Sequence, residues 1–525
     1  MVNIMNSLYT SVSGLKANQA GMTVVSNNIA NMNTEGYSKQ RVDLQSVSSR
    51  AGSQSQLMQV QAGGVTIDKV TRYQDEILNG FILQENSSYG YDTQMSSNLS
   101  SIESYMNEID SSGLTGAFKD YFSAAQSLAD DPTNKVTRSN FVYQAENVAN
   151  EFNAKYKELS DYRTSLVGDG ISSTSADNSQ LSKQTDDINN KLTQITELNR
   201  QIAVFSNQQN VQPNSLLDKR QLLLNDLAKE IPVSVRNNGA SIDLYLGNVQ
   251  LTEDSKQLAS FETIPGGAAN VGNPGVVSIV DKTDSTKVLV PDYQSNFSST
   301  QGSLKAMLDA GGSVENSIYN VMQKLDTLAQ VFATSVNAIQ LKADAGPPTQ
   351  ASLKLNSTTN TLEPATQNIF LNSPATNATY NGTLITAANI AINSVVKNDP
   401  SEVATAYGEV SAGAAVKPNA IGNNNNALDF LNMRQKNVTS DGQTVENGLY
   451  LIASQVGNNS ALMKSQLETQ QNSLNQLNDK KSSLTGVSLD EELVDLLKYQ
   501  KAYQASAKVF STVSQMMDVI VSMVK

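Results

Sequence analysis

The strongest order in this sequence lies at its two ends, where apolar residues recur every seventh position. Near the N-terminus Leu8, Leu15, Met22 and Ile29 form one row, and Ile4, Ser11, Asn18 and Val25 form its neighbour. Near the C-terminus Leu489, Leu496, Tyr503, Phe510, Met517 and Val524 make an unbroken apolar row, flanked by Leu493, Gln500, Ala507, Ser514 and Val521. Alternating steps of three and four mark helices packed side by side, so helices are predicted over 1–33 and 489–524. A third helix, 446–485, carries Leu449, Ile452, Val456, Met463, Leu467, Leu474, Leu477 and Leu484, and Gly486 is placed to end it. Ser488-Leu489-Asp490-Glu491 fits a capping box, and the acidic residues 490, 491, 492 and 495 suit the positive end of a helix dipole.

Between the ends the period changes twice. Met95, Leu99, Ile102, Met106 and Ile109, then Ile188, Leu192, Ile195 and Ile202, predict helices through most of 71–230, with breaks at Pro132 and Pro213. From Ile231 the pattern becomes short runs (VSVR, IDLYLG, VVSIV, KVLVP), which predicts a β-rich segment over 231–301. A helical period returns through Ile318, Met322, Leu325, Ala329, Phe332, Val336 and Ile339. Over 345–430 the composition shifts to Asn, Thr, Ala and Ser with few charges. This predicts an outward-facing, β-rich variable domain with one helical piece near 399–411. The fold class is therefore mainly α with β-rich inserted domains, discontinuous and nested. A terminal coiled-coil assembly domain comes from 1–33 and 446–525. A helical domain comes from 34–230 and 302–344, with an extended segment at 37–45. Such an order requires the two ends to lie together.

Composition removes most chemistry. The 525 residues include no His, Cys or Trp, which excludes disulfides, thiolate nucleophiles, zinc–sulfur sites and His-based triads. The net charge of −13 argues against a phosphate-binding surface, so no nucleic acid partner is expected. Pairs such as Asp130-Asp131 and Glu491-Glu492 point to different faces of a helix, which leaves a carboxylate-pair hydrolase as the one serious enzyme reading. No enzyme, cofactor or metal is expected. There is no run of ~18 apolar residues, hence no membrane span, and no secretory signal pattern at the N-terminus. Residues 1–33 carry one charged side chain, Lys16. Burying the six residues of the C-terminal row yields roughly 9–18 kcal/mol. Ordering the helix costs about 1–2 kcal/mol per residue, so several neighbours must cover these helices, other subunits among them.

The N-terminal helix runs into SNNIANMNTEGYS, residues 26–38. Asparagine tolerates left-handed backbone and bonds its own chain at helix ends, and Gly36 supplies a further turn position. A helix stop followed by a turn is predicted. With residues 13–40 as a whole, Ser26, Asn27, Asn28, Asn31, Asn33, Gly36 and Tyr37 resemble the N-terminal signature of the flagellar rod, hook and hook-associated axial proteins. Gly36-Tyr37-Ser38-Lys39-Gln40 is similar to the hook-associated branch at the hook–filament junction, with Lys39 where Arg is usual. Stretches 113–132, 216–235, 244–251, 302–310, 422–431 and 487–520 continue the resemblance in order.

The resemblance implies a structural subunit that forms a ring-like homo-oligomer in the flagellar axis. Its implied partners are the hook protein, a second hook-associated junction protein, and an export chaperone held on the C-terminal helix. Export would use the flagellar type III route without a cleaved signal peptide, giving an extracellular location. The implied assembly interface comprises Leu8, Leu15, Met22, Ile29, Leu489, Leu493, Leu496, Tyr503, Phe510, Met517, Val521 and Val524. A hook or rod subunit of the same family, or a secreted adhesin using the variable domain, are the alternatives.

Overall fold

Seven-residue spacing at both ends does produce long helices, but they find different partners. The computed structural model describes residues 2–46, 63–106, 113–168, 178–209, 213–265, 275–297, 301–312, 317–344, 350–356, 358–359, 361–372, 384–410, 420–437 and 442–523. Helix α1 (Val2–Ala30) leads through the asparagine-rich turn into an antiparallel hairpin, β1 (Gln40–Ser46) and β2 (Val65–Arg72). The helical body follows as α2 (Glu76–Met106), α3 (Gly113–Asp130), α4 (Lys135–Val167), α5 (Gln180–Gln209) and α6 (Asn214–Glu230). Pro132 and Pro213 stand just ahead of α4 and α6, where a missing N–H costs nothing. Asn134 caps α4 by accepting from the Val136 N–H.

After Ile231 the chain forms strands β3 (Val233–Asn238) and β4 (Ser241–Leu246), turning on Gly239 at φ +63°. A second sheet joins Ala259–Pro265, Gly275–Asp281 and Val288–Val290. Short α7 (Tyr293–Asn296) and α8 (Ser303–Gly311) precede α9 (Ile318–Gln340), α10 (Ser394–Asn398), α11 (Asn425–Asn432), α12 (Val445–Thr485) and α13 (Leu489–Met523).

One aromatic centre binds the body together. Phe118 meets Phe152 and Phe332 edge to face, Tyr121 packs on Phe141 and Phe332, and Phe370 and Phe430 close the cluster. Each such pair adds about 0.5–1.5 kcal/mol beyond its buried area. The cluster therefore locks α3, α4, α9 and α11 to one another.

The region predicted as an outward-facing domain, 345–430, shares this core. Phe370, Ile390, Ile392 and Val403 are buried in it, and so are Ile242, Leu244, Phe261 and Ile279 of the β-rich segment 231–301. Buried polar side chains make the attachment. Arg138 donates to the carbonyls of Pro132 and Val403 and to Thr405 Oγ1, while Asn337 Oδ1 accepts the Ile369 and Phe370 N–H groups. Asn426 donates to the Ala404 carbonyl. The apolar residues of 345–430 are too sparse to close a separate core, so they complete theirs on α4 and α9. The helical piece expected near 399–411 is a short 3-10 turn, Pro400–Glu402, followed by a strand, Ala404–Glu409, which pairs with 350–354. Arg138 and the partner strand hold that segment extended.

A second difference concerns α12. Sequence reasoning grouped 446–525 as one terminal unit, whereas the chain divides at Gly486. Leu449, Ile452 and Val456 of α12 enter the main core, and Leu474 packs with Leu78 and Ile82 of α2. Gly486 ends α12 in extended backbone, with its N–H on the Ser482 carbonyl. A Cβ there would fall 2.3 Å from the Ser482 oxygen, so crowding selects glycine at this helix end, and handedness does not.

Candidate assembly interface

Helices α1 and α13 lie against each other in antiparallel register, and the register steps by seven. A Cβ built on Gly14 would stand 3.2 Å from Ser506 Oγ, and one on Gly21 would stand 2.5 Å from the Tyr499 ring. Asn28 Nδ2 donates to Glu492 Oε2 at 2.9 Å. The meeting faces are thus the small and polar rows 14/21/28 and 506/499/492. Gly14 lets the helix come close to Ser506, and at Gly21 the missing side chain makes room for the Tyr499 ring.

That choice turns the large apolar row of α13 away from its own chain. Leu489, Leu493, Tyr503, Phe510 and Val521 are exposed, and Leu496 and Met517 are half-buried. Val494, Leu497, Val509, Met516, Val519 and Met523 are exposed beside them. Val524 lies outside the described residues. On α1, Leu8, Leu15, Met22 and Ile29 are half-buried along the edge of the pair, while Ser11, Ala17, Gly21, Val24, Val25 and Asn28 are buried. Sequence reasoning missed Gly14 and Gly21. Their signal was present as two glycines seven residues apart, in step with Asn28.

The asparagine-rich turn forms a polar elbow where this pair meets the helical body. Asn28 is 1% exposed, and its amide is fully used. Nδ2 donates to Glu492 and to the Gln40 carbonyl, and Oδ1 accepts from the Gln40 N–H and the Tyr37 hydroxyl. Burial pushes the Tyr37 hydroxyl up to about 12, with Asp218 and Glu492 adding to the effect. Lys39 Nζ lies 3.0 Å from both Glu491 and Glu492, and its N–H bonds the Thr485 carbonyl. Burial opposes the charge on Lys39, yet the two carboxylates outweigh it and hold the ammonium above its usual value. Arg72 pairs with Asp218 at 2.8 Å, both nearly buried; burial raises the Asp218 carboxyl and Arg72 only partly offsets this.

The remaining signature residues are simpler. Ser26, Asn27 and Asn33 are exposed. Asn31 bonds the Asn27 carbonyl and accepts from Thr34, and Gly36, at φ +78°, brings the chain against α6 near Leu222. The elbow therefore joins the turn, β2, α6 and the α12–α13 boundary.

Among the described residues no group of three or more acidic side chains is arranged to hold a metal ion, and no helix is long and apolar enough to cross a membrane. Comparison with known proteins agrees with this scaffold in its parts and as a whole. Residues 99–344 match the family model described as the flagellar hook-associated protein FlgK helical domain. Residues 8–37 match the basal body rod protein model, and 483–523 match the model of the FlgEFG C-terminal region. The chain is 26% identical over 551 residues to flagellar hook-associated protein 1 of Bacillus subtilis, covering 99% of both chains.

The chain is similar to flagellar hook-associated proteins along nearly its whole length. The Salmonella typhimurium member is 24% identical over 574 residues, covering 97% of this chain and 98% of that one. The same fold is found in the solved flagellar hook junction protein FlgK from Burkholderia pseudomallei, with a TM-score of 0.54 and 14% identity over 78% of this chain and 100% of that one. The two rod-family matches fall on α1 with its turn and on α13, the two helices that pair. The helical-domain match covers the body that the elbow joins to them. These similarities support a flagellar hook-associated structural role.

Proposed function

We propose that the chain builds the hook–filament junction as a ring-like homo-oligomer, with α1 and α13 as its assembly elements. The observation that carries this is the exposed apolar face of α13. A monomer in water gains nothing from presenting Leu489, Leu493, Leu497, Phe510 and Val519 together, and patches of this kind mark interaction surfaces. Leu8, Leu15, Met22 and Ile29, at the edge of the pair, extend the same surface. The inner side of the pair is already filled by Gly21, Tyr499, Asn28 and Glu492, so the apolar row is available to other subunits.

In this reading the subunit seats on the hook protein and offers a platform to a second hook-associated junction protein. It reaches that place by type III export. An export chaperone covers the α13 face beforehand, because that face would otherwise aggregate. The test is electron microscopy of cells lacking the gene, with an assay of flagellin in the medium. Bare hooks and shed flagellin are expected. Missing hooks would move the chain to the hook or rod, and normal filaments would overturn the junction reading.

A further inference from the structure

The β3–β4 hairpin leaves one edge of its sheet open. The sheet runs in the order β3, β4, Val249–Gln250, so β3 is paired on one side only. A two-residue turn, Gly239-Ala240, makes Asn238 and Ser241 the opposed pair that closes the hairpin. In such a hairpin the closing pair is hydrogen-bonded, and bonding then alternates along the ladder. Ser234, Arg236 and Asn238 therefore bond to β4, and the N–H and C=O groups of Val233, Val235 and Asn237 point outward. Among the described residues none of these outward groups has a hydrogen-bond partner. An open edge of this kind is a template for one more strand.

A cleft of about 900 Å³ lies along that edge, with Val233, Val235 and Asn237 lining it together with Asn79, Gly80 and Gln84 of α2. Ser234 lines it too. A cleft that meets consecutive residues of a strand runs along its edge, because side chains alternate between the two faces. Its lining is more polar than apolar, which suits a main chain better than a greasy anchor. Gly80 keeps it open: a Cβ built there meets no atom within 4 Å. Glycine inside a helix costs about 1 kcal/mol relative to alanine, so the folding of α2 does not favour it there.

Charge selects the occupant. Arg72 and Arg220 line the cleft, and among its described lining residues the one carboxylate is Glu76, exposed in the first turn of α2. The Arg72 side chain is 8% exposed; its Nη1 pairs with Asp218, while Nε is buried without a partner. Ser87 Oγ, also buried and unpartnered, lines the same cleft. Two guanidiniums beside open main-chain groups suit an added strand that carries carboxylates.

We propose that this cleft receives an extended acidic peptide segment of a partner protein, which pairs with the open edge of β3 and turns its carboxylates to Arg72 and Arg220. Residues 233 to 237 span roughly 13 Å, the reach of about five extended residues. The contact goes beyond the junction reading and does not depend on it. The test is fluorescence anisotropy of the full-length chain with a labelled peptide of about seven residues, valine or threonine alternating with glutamate. The same peptide with glutamine for glutamate runs beside it. Saturable binding of the glutamate peptide is expected, with the glutamine peptide about tenfold weaker. Gly80→Tyr fills the cleft from the helix, and Asn237→Pro removes an outward N–H while leaving the bonds to β4 intact. Each should weaken binding by about tenfold or more, with an unchanged thermal melt, since both residues are exposed. No saturable binding of the glutamate peptide, or equal binding by the wild type and both variants, would overturn the proposal. Equal binding of the two peptides would overturn the acidic occupant. Sedimentation equilibrium of Asn237→Pro adds a last outcome: loss of self-association would give the edge to a second copy and overturn the partner peptide.

Discussion

Asn28→Ala is the most informative single change in the elbow. The substitution removes four hydrogen bonds at once, three neutral ones to Gln40 and Tyr37 and one to the Glu492 carboxylate. A neutral bond contributes about 1 kcal/mol net and one to a charged group about 1.5–3, for a gross value near 5 kcal/mol. Tyr37 and Gln40 are half-buried and regain water, which lowers the loss to about 3 kcal/mol, whereas Glu492 is 1% exposed and stays uncompensated on that side. The loss falls on the α1–α13 pair and spares the aromatic centre of the body.

Hydrogen exchange is the assay, because it reports opening segment by segment. Amides of 2–30 and 489–523 should exchange about a hundredfold faster in Asn28→Ala, since 1.4 kcal/mol corresponds to tenfold. Amides of α3 and α4 should be unchanged. Asn33→Ala serves as the control, since Asn33 is exposed. Equal effects from the two substitutions would refute the assignment of the elbow to Asn28.

Three further outcomes are expected. Gly90→Ala should be strongly destabilising in a thermal melt, because its Cβ would fall 1.9 Å from the Lys229 carbonyl oxygen, and overpacking costs about 1–3 kcal/mol or more; an unchanged melting temperature would mean that α2 and α6 are not in this contact. Leu496→Asp and Phe510→Asp together should abolish filament attachment and weaken chaperone binding, yet keep the circular dichroism of the folded body; normal motility would contradict the interface. Burial raises Glu230 to about 7 despite Lys191, so the folded chain keeps a proton that the unfolded chain has released. Its contribution to stability therefore falls as pH rises from about 4.5, the usual value, towards 7. Denaturant melts at pH 5 and pH 8 should show that drop in the wild type and lose it in Glu230→Gln; the same drop in both would remove Glu230 as the cause.

Much of this molecule was legible without coordinates. Period-seven rows marked α1, α12 and α13 nearly to the residue, Pro132 and Pro213 marked the helices after them, and the change of period at Ile231 marked the strands. These are local properties, set by which side of an element each residue occupies, and a sequence displays them directly. The asparagine-rich turn was legible as a helix stop, but its role was not, because Asn28 finds its partner on Glu492, 464 positions away.

Partner choice was decided by tertiary structure. Periodicity shows that a face is apolar, and it carries no record of what covers that face. The row Leu489, Leu496, Tyr503 and Phe510 was legible as an apolar assembly face, but that α13 meets α1 elsewhere, on Gly14, Gly21 and Asn28, was not. In the same way 345–430 looked separate by composition, and buried hydrogen bonds from Arg138, Asn337 and Asn426 drew it into the common core. Local pattern determined which elements exist. Which faces they share was settled by long-range satisfaction of buried polar groups and by close packing at glycine, both of which depend on residues far apart in the chain.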